Sequence, residues 1–113
     1  MKLNPIKDKK KIEKIFEKGT LLRGSNISIK FYNFNDNKSC YGLAVPKKNF
    51  PLAVSRNLIK RRLREQLQLY IRTNTIKKGV SFFLIYTSKE IISSSDLKDA
   101  LESLVKNFDS GVK

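Results

Sequence analysis

Arg56, Lys60 and Arg64 stand at i, i+4 and i+8, with Asn57 and Arg61 beside them. Side chains three and four apart are neighbours on a helix surface, so these five form one plate about two turns long. Guanidinium forks grip phosphate oxygens at two points, whereas an ammonium acts as a point charge. Asn57 adds hydrogen-bonding capacity without charge, suited to base edges, sugar or phosphate. Lys47 and Lys48 come shortly before the plate. Like charges at i, i+4 repel and weaken an isolated helix, and Glu65 is the one acid nearby. A plate that opposes its own helix is best explained by an external polyanion. The plainer alternative, a solvated charged face, leaves the missing acids without a reason.

Composition supports the same reading. The chain has 113 residues, 24 of them Lys or Arg and 10 Asp or Glu, for a net charge of +14. So large an excess on a small body repels itself, and a polyanion is the usual reason it is kept. Residues 1–36 carry +5, residues 37–89 carry +11 and residues 90–113 carry −2. The 18 lysines fit a general bias that also favours Asn and Ile. The arginines do not, because four of the six (Arg56, Arg61, Arg62, Arg64) fall within nine residues.

Several classes of function drop out. There is no histidine, which removes imidazole acid–base chemistry, Ser-His-Asp and Cys-His arrangements and His-ligated zinc. Cys40 is alone and cannot form an internal disulfide. No apolar run approaches the roughly 18 residues of a membrane span, and no apolar segment follows the basic start as a secretory signal requires. Hydrophobic residues at 40% and aromatics at 10% are enough for a packed core. The expectation is a soluble, cytoplasmic, cationic single domain over residues 1–113, with no membrane partner.

The elements that must carry the plate follow from periodicity. Ile12, Ile15 and Phe16 have helical spacing over residues 7–18, with Asp8 able to cap the start and Gly19 to stop it. Residues 26–34 alternate: Ile27, Ile29 and Phe31 face one way, Ser28, Lys30 and Tyr32 the other, as in a strand with one buried face. A polar turn over residues 33–38 leads to a second strand over 39–45, and the two are expected to pair as a hairpin. Residues 52–72 form the longest helix, with Ile59, Leu63, Leu67 and Tyr70 on one arc. Lys77, Lys78 and Gly79 break it. Val80–Tyr86 is apolar nearly throughout, like a central strand covered on both faces. Ser95 is the expected cap of a last helix whose stripe is Leu97, Ala100, Leu101, Leu104, Val105 and Phe108. The expected class is α+β, a two-layer α/β sandwich of a small mixed sheet with helices. Its order is α-β-β-(β)-α-β-α, with a βαβ unit around the long helix.

The stretch from Val45 to Glu65 resembles the protein subunit of bacterial ribonuclease P. That family's signature is R-N-x-x-K-R-x-x-R-E, matched by Arg56, Asn57, Lys60, Arg61, Arg64 and Glu65. Its preceding G-x-x-V-x-K-K is matched by Gly42, Val45, Lys47 and Lys48, and its early F-x-x-G by Phe16 and Gly19. The resemblance implies a cofactor of a catalytic RNA that removes the 5′ leader from precursor tRNA, with hydrolysis done by the RNA and its bound Mg2+. It places Lys47, Lys48, Arg56, Asn57, Lys60, Arg61 and Arg64 against RNA. It places the single-stranded leader in a cleft between sheet and first helix, where the candidates are Ile12, Phe16, Ser28, Lys30 and Tyr32. Phe16 has two readings, core packing and base stacking. The partners implied are the catalytic RNA and precursor tRNA, with one protein copy per holoenzyme. No catalytic or metal-ligating residue is expected in the protein, and the βαβ crossover is expected to be left-handed. The chain departs from the pattern in three places. Relatives often carry an aromatic at the position of Ile12 and another near Lys30, and serine is commoner than Pro46.

Three other functions compete. A ribosomal protein binding rRNA suits size and composition equally, and only the motif separates it. An autonomous nuclease is disfavoured by the absent histidine. A helix-turn-helix DNA reader needs paired short helices, which the flanking strands argue against.

Overall fold

The computed structural model describes residues 3–73 and 78–111, with side chains to Arg72 and from Lys78 to Lys106. Its elements are β1 (Asn4–Pro5), α1 (Lys9–Lys18), β2 (Thr20–Arg23), β3 (Ile27–Asn33), β4 (Cys40–Ala44), α2 (Ala53–Thr73), β5 (Val80–Tyr86) and α3 (Ser94–Gly111). The class is α+β, as expected; three strands lie between the first two helices, as the bracketed strand of the anticipated order allows, and the short β1 before α1 is an addition.

The sheet order is β1-β4-β5-β3-β2. The apolar β5 takes the centre, antiparallel to β3 and parallel to β4. This corrects the expected hairpin: β3 and β4 are not paired, because β5 lies between them. A strand buried on both faces gains most where it has a neighbour on each edge. The Phe34 amide continues the β3–β5 pairing by donating to the Gly79 carbonyl at 2.8 Å. β3 has β2 as its other partner, antiparallel from Thr20 opposite Phe31 to Arg23 opposite Ser28. The expected β4–α2–β5 unit is present, with its two strands parallel and adjacent.

Alternation sorts the two faces of the sheet. Ile27, Ile29 and Phe31 pair with Tyr86, Leu84 and Phe82. With Ile59, Leu63, Leu67 and Ile71 of α2 and Leu97, Ala100, Leu101, Leu104 and Val105 of α3, they make one buried cluster. Phe108, expected as the last member of that stripe, lies outside the described side chains, as Lys77 lies outside the described residues. The cap of α3 is Ser93 and not Ser95: its Oγ accepts from the Asp96 amide at 3.1 Å, and its carbonyl accepts from Leu97 at 3.0 Å. Three serines in a row offer three possible starts, and the hydrogen bonds select the earliest.

The opposite face of the sheet carries Lys30, Phe83 and Gly42 in register across β3, β5 and β4, and α1 packs there through the fully buried Ile15. Asp8 caps α1, its carboxylate accepting from the Lys10 amide at 2.9 Å. Gly19 ends it in extended conformation, its amide donating to the Ile15 carbonyl. A Cβ on Gly19 would lie 2.2 Å from the Ile15 carbonyl oxygen and 2.8 Å from that of Phe31. Only glycine lets α1 meet β3 so closely.

Candidate nucleic-acid interface

Two surfaces gather the residues singled out above. The first is a ridge on α2. Burial of Ile59, Leu63, Leu67 and Ile71 fixes how the helix is rotated, and that rotation turns Asn57, Arg61 and Arg64 to solvent and leaves Lys60 half-buried. Arg61 lies 3.8 Å from Glu65, both largely exposed, a pair worth about 0.3–0.5 kcal/mol at most. Among the described residues it is the only ion pair on the ridge. Lys47 and Lys48 are exposed in the turn that follows β4. The first turn of α2 holds no acidic residue, so the positive end of the helix dipole adds to the same field. Leu52 and Val54, at the entry to the helix, are exposed, Val54 by 81%.

Not every arginine of the cluster is free. Arg56 is half-buried, and its Nη1 donates to the carbonyls of Phe50 at 2.9 Å and Pro51 at 2.8 Å. Arg62 faces away from the ridge and donates to the Ile92 carbonyl at 3.0 Å.

The second surface is the cleft between α1 and the sheet. Phe16 is 42% exposed, which decides against simple core packing. Its ring meets that of Phe83 at 4.9 Å, tilted by 45°. Phe83 in turn lies across Gly42, where a Cβ would come within 2.1 Å of the ring. The glycine of G-x-x-V-x-K-K is therefore the floor under an aromatic pair. Tyr32, half-buried, meets Phe34 edge-on at 4.8 Å. Lysines line these rings: Lys30 Nζ lies 5.8 Å from the Phe16 centroid, Lys14 Nζ 5.8 Å from Tyr32 and Lys11 Nζ 5.1 Å from Phe34. Each such contact is worth about 0.5–1 kcal/mol at a wet site. Lys30 also donates to the Phe16 carbonyl at 2.7 Å, satisfying a carbonyl at the end of α1.

Of the expected cleft residues, Phe16, Lys30 and Tyr32 line it, and Ile12 is half-buried on α1. Ser28 does not reach the cleft surface. It is on the right face but only 6% exposed, flanked by Arg23 and Ile85 on the neighbouring strands, and its short side chain cannot reach past them. Periodicity did not single out Lys11, Lys14, Phe34 and Phe83. Phe83 sat in an all-apolar strand with no readable face, and only the register opposite Lys30 reveals it.

One ion pair braces the cleft. Lys11 Nζ donates to the Asp36 carboxylate at 2.5 Å. That bond raises the pKa of Lys11 above its ordinary value. The same bond, followed by the Lys38 amide, holds Asp36 below the usual carboxylate range. Among the described residues no group of three or more Cys, Asp or Glu side chains is placed to hold a metal ion, and no helix is long and apolar enough to cross a membrane.

A basic, largely unpaired helix face and a cation-lined aromatic cleft are the two means by which proteins hold folded and single-stranded nucleic acid. Comparison with known proteins gives the family. The family model for ribonuclease P matches residues 1–109. The structure of the Staphylococcus aureus RNase P protein superposes with a TM-score of 0.78 at 23% identity, covering 95% of this chain and 96% of that one. The RNase P protein from Thermotoga maritima gives 0.74 at 24%, covering 92% and 96%. At these identities the two structures establish the fold, and the family rests on the match over residues 1–109. No curated protein matches the chain. The chain belongs to the bacterial ribonuclease P protein family, the protein component of the endoribonuclease that matures the 5′ end of precursor tRNA.

Proposed function

We propose that the chain, acting as one domain and one copy per holoenzyme in the cytoplasm, binds the catalytic RNA through the α2 ridge and holds the 5′ leader of precursor tRNA in the α1 cleft. The observation that carries this is the ridge itself: Asn57, Lys60, Arg61 and Arg64, joined by Lys47 and Lys48, with a single weak ion pair among them. Folded RNA supplies phosphates at the density such a surface needs. About four to five phosphate contacts give a slope of log affinity against log salt of roughly −3 to −4.

The cleft suits a single strand. Phe16 and Tyr32 offer ring surface on which bases stack, and Lys14 and Lys30 offer charge for the backbone between them. Ile12 adds apolar surface at the rim. Of the carboxylates near the two surfaces, Asp36 and Glu65 are in ion pairs and Asp8 caps α1, while Glu13 and Glu17 stand exposed on α1. As the family implies, hydrolysis is assigned to the RNA. The magnesium that the family implies is assigned there too, because the described side chains offer no cage for it.

Reconstitution tests the proposal. Purified protein alone leaves precursor tRNA uncut, and adding it to ribonuclease P RNA lowers the magnesium and salt required for cleavage. Cleavage of precursor tRNA by the protein alone at catalytic rates would overturn the assignment.

A further inference from the structure

The turn that presents Lys47 and Lys48 is clamped at its far end. The Phe50 amide donates to the Pro46 carbonyl at 3.1 Å and closes it. The Phe50 ring is buried, edge-on to Tyr86 at 5.6 Å. The next two carbonyls, of Phe50 and Pro51, both accept from Arg56 Nη1, which commits both hydrogens of that nitrogen. Arg56 is half-buried, as Lys60 is, while Arg61 and Arg64 face solvent. Arg56 stands one turn before the buried Ile59 and two before the buried Leu63, while Arg64 is exposed.

We propose that Arg56 is a positioning residue. It makes no phosphate contact of its own and fastens the Lys47–Lys48 turn to the start of α2, so that both lysines meet RNA in fixed register with Asn57, Lys60 and Arg61. This rests on the reading that the ridge binds RNA, and it moves one member of the signature from contact to support.

A mutant cycle on the full chain with in vitro transcribed ribonuclease P RNA separates the two roles. Arg56→Gln is measured in the native background and with Lys47→Gln and Lys48→Gln already in place. A residue acting through those lysines is strongly coupled to them, so Arg56→Gln weakens binding about tenfold in the first background and less than twofold in the second. In the second background it also leaves the salt slope unchanged, a readout that a general loss of structure does not protect. Arg61→Gln, the control, costs the same factor in both. If Arg56→Gln costs equal factors in both backgrounds and lowers each slope by about one unit, it is a phosphate contact and the inference falls. It falls equally if Arg56→Gln has no effect in the native background, or if replacing Lys47 and Lys48 does not weaken binding. In those cases the ridge reading survives only if replacing Lys60, Arg61 and Arg64 still weakens binding. Arg56→Met, which keeps the aliphatic stem, serves in the same cycle if thermal melting shows that Arg56→Gln does not fold.

Discussion

The ridge and the cleft are both basic, yet they are built from opposite principles. On α2, among the described residues, the cations of Lys60, Arg61 and Arg64 have no aromatic partner and almost no acid, and they stand on a helix whose other side is the main core. In the cleft every lysine has a local partner: Lys11 has Asp36 and Phe34, Lys14 has Tyr32, Lys30 has Phe16 and its carbonyl. Unpaired charge is costly alone and gains most from a dense polyanion. Charge already packed on rings gains less from phosphate but presents a surface on which a base can stack. One surface is suited to folded RNA and the other to a single strand.

Removing the ridge charge breaks the comparison most severely. Lys60→Gln, Arg61→Gln and Arg64→Gln together lower affinity for ribonuclease P RNA by about 100-fold at physiological salt, measured by filter binding, with thermal stability unchanged or raised as the repulsion on α2 is relieved. Gly42→Ala acts on the cleft alone. Its Cβ would enter the Phe83 ring, so stability falls by about 2 kcal/mol in a denaturant titration, while affinity of the folded protein for the RNA is retained. Phe16→Ala is subtler. It reduces the preference for leader-bearing over mature tRNA by about tenfold, in keeping with the roughly 1–3 kcal/mol of a base stacked on an aromatic ring. An equal loss for both RNAs would make Phe16 a structural residue only.

The smallest effect concerns the brace. Asp36 is held below its ordinary pKa, so its contribution is present above the usual carboxylate range and lost as pH falls through the lowered value. Lys11 is raised, so its share is present below its ordinary value of 10.5 and lost as pH climbs through the higher one. With both side chains partly exposed, Asp36→Asn costs about 0.5–1 kcal/mol at neutral pH. In strong acid the melting temperatures of variant and native protein converge.

Much of this was legible in the chain. The signature drew attention to α2 because a cluster of guanidinium groups is conspicuous against a Lys-rich background. The periodicities of α1, α2, β3 and β5 were readable because each buries one face or both. Three things were hidden for physical reasons. A strand apolar on both faces carries no mark of which side is which, so Phe83 went unrecognised, as did the insertion of β5 between β3 and β4. The strands β1 and β2 are too short or too irregular to show alternation. Arg56 reads like its neighbours until its bonds to the Phe50 and Pro51 carbonyls are seen.

The division between ridge and cleft is tested most directly by the salt dependence of holoenzyme assembly. Replacing Lys60, Arg61 and Arg64 flattens the log–log slope by about two to three units, whereas Phe16→Ala leaves it at the native value. A native slope in the triple variant would contradict the assignment of this face to RNA.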